Sequence, residues 1–170
     1  LLLPGTPFIY YGEEIGMAAS DTLTGDWALR TPMSWTADAR GFSTGSPFRS
    51  LSSNIGTQNV AQQLSDTASL HQHYKKLLAL RNSHLALSSG TYEGAWSQQK
   101  TMGFQRVAGN EKVMVILNFD TSNANVSVSS LVPGEVWSAL AGLPNGSTVN
   151  PAGVMQISLP AQSFVVLKKN

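Results

Sequence analysis

The chain contains no cysteine. Disulfides, thiolate metal sites and cysteine nucleophiles are therefore excluded, while the compartment stays open because many secreted bacterial proteins also lack cysteine. Charge is scarce too: only 12% of residues are Asp, Glu, Lys or Arg and the formal net charge is +1, about half the usual charged share. With no basic run, the chain offers no electrostatic footprint for nucleic acid or anionic lipid. It has no phosphate-cradling glycine loop, no G-x-S-x-G elbow and no H-E-x-x-H pair. Hydrophobic residues make up 42% of the chain and mean hydropathy is −0.06, values of a soluble globular protein and not of a disordered or membrane-spanning one. Ser, Thr, Asn and Gln crowd the loops, which suits neutral, hydroxylated ligands.

At 170 residues the chain holds one ordinary domain, or a small domain plus part of another. Its first seventeen residues, LLLPGTPFIYYGEEIGM, are the most informative. Residues 7–11 (PFIYY) form a short β-branched and aromatic run between Pro4-Gly5 and Gly12. That is the pattern of a strand buried on both faces, as parallel sheets and α/β barrels require. Glu13 and Glu14 follow where such a strand leaves its sheet, the end at which α/β folds place ligands. Bare Leu-Leu-Leu feeding a buried strand is expected to be a cut start, so the lack of a visible signal peptide carries no weight.

Residues 18–65 form a long polar stretch, but Trp27, Trp35, Phe42 and Phe48 make it too apolar for a flexible linker. A βα loop folded over a cleft is expected. Ser65 or Asp66 is placed to cap a helix over residues 67–82, on which Leu70, Tyr74, Leu77, Leu78 and Arg81 make one apolar stripe facing a barrel wall. From Gly90 onward the period changes to two: Met102 and Phe104, then Val126 and Val128, then Met155, Ile157 and Leu159 alternate with polar or small residues. Gly109-Asn110 supplies a tight hairpin between residues 101–107 and 112–119. About seven short strands in an antiparallel sandwich are expected.

These residues resemble a known family. PGTPFIYYGEEIGM at residues 4–17 resembles the eighth barrel strand of the α-amylase family of glycoside hydrolases (family 13). RTPMSW at residues 30–35 resembles the RTPM-x-W motif that follows it in many members, with Ser34 where Gln is commonest. The helix and β-rich tail are similar in order to the eighth helix and C-terminal domain of those enzymes. The resemblance implies an α/β plus all-β fold. Residues 1–86 would be the C-terminal part of a catalytic TIM (β/α)8 barrel (strand 8, long active-site loop, helix 8), and residues 87–170 an antiparallel Greek-key β-sandwich domain.

The function it implies is that of a C-terminal fragment of a retaining hydrolase of O-glycosyl bonds, acting on α-1,4-glucans such as starch or on malto-oligosaccharides. The catalytic carboxylates of that family lie on earlier strands, so this chain carries no catalytic residue and alone is expected to be inactive. The alternatives are a fragment of a transglycosylase or isomerase of the trehalose synthase or sucrose isomerase type, or a noncatalytic carbohydrate-binding or bracing module. The implied partners are the N-terminal barrel portion of the same enzyme and an α-glucan, with self-association of the fragment through exposed strand backbone. No cofactor is evident in the segment, and calcium is left open for the parent enzyme. An extracellular or periplasmic location is expected, with the cytoplasm as the alternative.

Four residues are candidate substrate contacts. Glu13 and Glu14, as neighbours on an extended backbone, point to opposite sides and cannot act as a catalytic pair; Glu13 either touches sugar or pairs structurally with an arginine. Arg30 offers a planar donor fork to sugar hydroxyls or to a catalytic carboxylate, or else forms a loop ion pair with Asp26 or Asp38. Arg49 repeats that argument more weakly. Trp35, with Trp27, Phe42 and Phe48, either stacks on pyranose faces or pins the loop. His71 and His73 stand two apart on a helix and cannot share a metal, and His84 is placed to meet helix-end carbonyls. Trp96 and Trp137 read as core residues or starch contacts. Asn125-Val-Ser127 and Asn145-Gly-Ser147 match the glycosylation sequon, which matters only in a eukaryotic secretory protein.

Overall fold

The computed structural model describes residues 1–38, 41–143 and 146–170; the sequon at Asn145 lies outside the described residues. The chain divides into two compact units, Thr6–Ala79 and Leu1–Gly5 with Leu80–Asn170. In the first unit regular structure is sparse. It has 3₁₀ turns at Glu13–Ile15 and Gly25–Leu29, a short helix α1 (Val60–Ser65), and most of helix α2 (Leu70–Ser83).

The buried strand expected at residues 7–11 is not a strand within this chain. Phe8 is 92% exposed and Ile9, Tyr10 and Tyr11 are also exposed, because a strand is made by its neighbours and none of the described residues pairs with this run. Helix α2 starts later than expected. Asp66 accepts the Ala68 N–H at 2.8 Å and closes a turn ahead of the helix, while the Ser69 hydroxyl accepts the Gln72 N–H at 3.2 Å and caps the helix itself. α1 was not anticipated; Asn59 caps it by accepting the Gln62 N–H at 3.0 Å.

In the second unit the strands follow the period-two pattern. β1 (Thr91–Gln98), β2 (Thr101–Ala108), β3 (Glu111–Asn118), β5 (Val136–Ala141), β6 (Ser147–Thr148) and β8 (Ser163–Lys169) form an antiparallel sheet in the order β1-β2-β3-β8-β5-β6. β4 (Ala124–Val128) and β7 (Met155–Leu159) pair as a second sheet. The chain leaves the large sheet after β3 and returns later, so β8 and not β4 lies beside β3, a Greek-key arrangement. Gly109, at φ 57°, opens the two-residue turn that joins β2 to β3.

Met114, Ile116, Val126, Val128, Trp137, Met155, Ile157, Leu159, Val165 and Leu167 form the core between the sheets. Trp137 is a core residue, fully buried. On β2 the alternation is altered by Trp96, which covers the backbone of Gly103. A Cβ there would lie 2.3 Å from the indole ring. Gly103→Ala is therefore expected to lower stability by about 1–3 kcal/mol through overpacking, measured by urea unfolding.

The other face of the large sheet is covered by α3 (Leu85–Ser89), which packs on β2 and β3. Its first turn is held by Glu111. One carboxylate oxygen accepts the Ala86 N–H at 2.9 Å, and the other meets His84 Nδ1 at 2.7 Å and Lys168 Nζ at 3.4 Å. His84 thus pairs with a carboxylate and not with helix-end carbonyls. Burial pushes the Glu111 carboxyl up, but the Ala86 N–H, His84 and Lys168 outweigh it and hold it at about 2, against an ordinary 4.5. A carboxylate depressed in the folded state stabilises fully above its unfolded value and loses that contribution as pH falls. Between pH 4.5 and 2 the second unit should lose on the order of 1–2 kcal/mol that Glu111→Gln lacks at every pH, after discounting for solvent screening; acid unfolding followed by near-UV circular dichroism checks this.

Candidate functional site

The run of residues 7–11 leads into a tight turn. Gly12 takes φ 89°, and a side chain there would press on Met17 at 2.8 Å, so only glycine lets the chain fold back at this point. Residues 13–15 then form a 3₁₀ turn in which Ile15 is fully buried. Glu13 accepts the Tyr10 N–H at 3.2 Å and Glu14 accepts the Gly12 N–H at 2.8 Å. The expected extended backbone is therefore replaced by a turn, and both carboxylates cap the turn that carries them. They do not form a pair across a cleavable bond.

Tyr10, Arg30 and Arg49 lie near Tyr11. The Tyr11 hydroxyl donates to the Thr31 carbonyl at 2.9 Å, and its ring meets that of Tyr10 at a tilt of 45° with centroids 4.7 Å apart. Burial and Tyr10 push the Tyr11 phenol above its ordinary range, while the charges of Arg49 and Arg30 act in the opposite direction. Arg30 ends the turn Gly25–Leu29 and pairs with Asp26 at 2.6 Å, both side chains being more than half exposed, so the pair is weak and easily exchanged. Arg49 lies 4.0 Å over the Trp27 ring and 5.5 Å from Phe48, which meets Phe42 at 5.9 Å. Trp27 and Phe48 stay exposed at 61% and 66%. This surface of aromatic faces with two guanidinium groups can stack on a ring and donate to its hydroxyls.

Trp35 stands apart from this group. Its carbonyl accepts the Ala61 N–H and that of Ser34 accepts the Val60 N–H, at 3.0 and 2.9 Å, so RTPMSW satisfies the first turn of α1. Thr31 and Ser34 are buried, and Trp35 is 46% exposed.

Residues 1–90 match the alpha-amylase catalytic-domain family. The chain belongs to the α-amylase family. It is 37% identical over 127 residues to alpha-amylase 3 of Dictyoglomus thermophilum, covering 71% of this chain and 24% of that protein. It is 30% identical over 174 residues to trehalose-6-phosphate hydrolase of Bacillus subtilis, covering 81% of this chain and 31% of the other. The solved structure of a trehalulose synthase from Pseudomonas mesoacidophila superposes with a TM-score of 0.79 and 24% identity, over 100% of this chain and 36% of that one. The chain thus spans about a quarter to a third of the length of these relatives. Its fold is that of the last βα unit of a TIM barrel followed by an antiparallel sandwich, and it corresponds to the C-terminal portion of such α-amylase-family enzymes.

The sequence reading overlooked the amides that shape this family segment. Asn54 accepts the Ala18 N–H at 3.0 Å and the Ser52 hydroxyl at 2.7 Å, and donates to the Gly16 carbonyl at 2.9 Å. Gln63, buried, donates to the Ile15 carbonyl at 2.5 Å and accepts the His71 N–H at 2.9 Å. The only signal was an excess of amides in a loop too long to be unstructured. Among the described residues, no three His, Asp or Glu side chains gather as a metal site. Asn54→Ala is expected to cost about 2–3 kcal/mol from lost hydrogen bonds, and to raise proteolytic cleavage within residues 18–53 while leaving the sandwich intact.

Proposed function

We propose that the chain is the C-terminal part of a retaining α-glucosidic enzyme that acts on α-1,4-glucans or malto-oligosaccharides. Residues 1–86 would complete its barrel, and residues 87–170 would be its β domain. Its nucleophile and acid/base carboxylates would come from a preceding part of the barrel. The observation that carries this reading is the convergence of Arg30, Arg49, Trp27 and Tyr11 just beyond the strand run, in a segment matching the family's catalytic domain. In the whole enzyme Arg30 exchanges Asp26 for a sugar hydroxyl, and Arg49, braced on Trp27, offers its remaining donors to the same ligand. Glu13 and Trp35 support that surface by holding the turn and α1. The uncharged, hydroxyl-rich loops favour a starch-type polymer met outside the cytoplasm.

A second reading, glucosyl transfer or isomerisation of sucrose or maltose, draws on the likeness to the trehalulose synthase. Product analysis of the full-length enzyme on maltotriose and on sucrose separates the two, since hydrolysis releases glucose and maltose whereas isomerisation conserves disaccharide mass. In that enzyme Arg30→Ala is expected to raise KM for malto-oligosaccharides about tenfold, the loss of one or two charge-assisted hydrogen bonds. Asp26→Ala should leave KM nearly unchanged; an equal rise in both variants would reduce Arg30 to a loop staple.

A further inference from the structure

Arg81 was read as part of the apolar stripe of α2. Instead its guanidinium, on a residue only 6% exposed, gathers backbone carbonyls from two distant stretches. Nη1 donates to Leu1 at 2.6 Å and Leu3 at 3.0 Å, and Nη2 donates to Gly5 at 2.5 Å and Ser88 at 3.5 Å. Arg106, 1% exposed, likewise donates to backbone carbonyls, but those of two adjacent residues. Its Nε donates to Thr91 at 3.1 Å and its Nη2 to Gly90 at 2.9 Å. Burial, then the charge of Arg81, pull Arg106 below its ordinary range, so the two cations are close enough to repel.

Two buried like charges that bind only carbonyls, without a carboxylate partner among the described residues, are costly. What offsets the cost is the backbone they hold. Residues 1–5 have no ladder of their own, and the linker into β1 is so tight that a Cβ on Gly90 would lie 2.4 Å from the Ala86 carbonyl.

We propose that Arg81 is a positioning residue: it fixes residues 1–5, the base of the run that carries the Glu13–Glu14 turn, to the end of α2 and to the linker into the sandwich. The clamp lies wholly within the unit formed by residues 1–5 and 80–170. A planar fork is required, because its parallel donors reach separate carbonyls that a single ammonium cannot span. The effect on catalysis rests on the function proposed above; the clamp itself does not.

The test uses the full-length enzyme. Arg81→Met is expected to speed amide exchange at Leu2, Leu3 and Gly5, Pro4 having no amide hydrogen, about tenfold or more, with β2, β3 and β8 keeping their protection. It should also lower kcat about ten- to a hundredfold with KM little changed, as misplacement of a reacting site does. Arg81→Lys should behave like Arg81→Met. Arg81→Ala should regain slow exchange and activity in millimolar methylguanidinium but not in equimolar methylammonium, which keeps the test open if the methionine variant fails to fold. Unchanged exchange at residues 2–5, recovery by methylammonium, or full function in Arg81→Lys overturns the proposal. Exchange is read without substrate, so an enzyme inactive on every α-glucoside would sink the functional reading and still leave the clamp decided.

Discussion

A backbone N–H or C=O removed from water must find a partner, and that constraint governs the whole of Thr6–Ala79. In a sheet the ladder supplies those partners without side chains. Here the run at residues 7–11 has no ladder and the long loop has only short turns, so the work passes to amides and carboxylates. Asn54 ties residues 16 and 18 to residue 52, Asn59 caps α1, Gln63 ties the 3₁₀ turn to α2, and Glu13 and Glu14 close their own turn. Side chains committed to backbone in this way are not available for chemistry. The two most conspicuous carboxylates of the sequence each accept a backbone N–H of the turn that carries them.

The sandwich solves the same problem the ordinary way. Its strands satisfy one another, and side chains are left free to pack, with Trp137 and the aliphatic residues of β3, β4, β7 and β8 filling the space between the sheets. Charged side chains bind backbone where ladders end. Glu111 does so at the start of α3, and Arg81 and Arg106 at the linker. The burial of two charged residues, Arg81 and Arg106, follows from the fold change there, from helix to strand, where neither regular pattern covers the backbone.

This contrast explains what could be read from the sequence. Strands β4 and β7 were legible because the period of two is a local property, fixed once one face is buried. Gly109-Asn110 was legible because its turn needs only its own backbone. The PFIYY run was read as a strand from its composition, and composition does report the environment for which it was selected; what it cannot report is whether the neighbouring strands lie in the same chain. The role of Arg81 was invisible for another reason. At helical spacing a long side chain with an aliphatic stem fits an apolar stripe as well as leucine does, and only the coordinates show its head group turned to carbonyls 76 to 80 residues away. Asn54 and Gln63 had no pattern at all, since an amide that bridges two loops is specified by tertiary geometry alone.

The candidate site itself shows how a polar loop and an aromatic surface coexist. Arg49 on the face of Trp27 shields part of that ring from water, which lowers the cost of leaving a large aromatic exposed. Arg30, held only by an exposed partner four residues away, is the less committed of the two cations. A ligand rich in hydroxyls and poor in charge gains from that arrangement, because it can displace Asp26 without having to replace a buried carboxylate. A strongly anionic ligand would instead compete for both guanidinium groups at once, and the loops around them contain too few further cations to hold it. The proposed preference for neutral sugars therefore rests on the scarcity of charge as much as on Arg30 and Arg49.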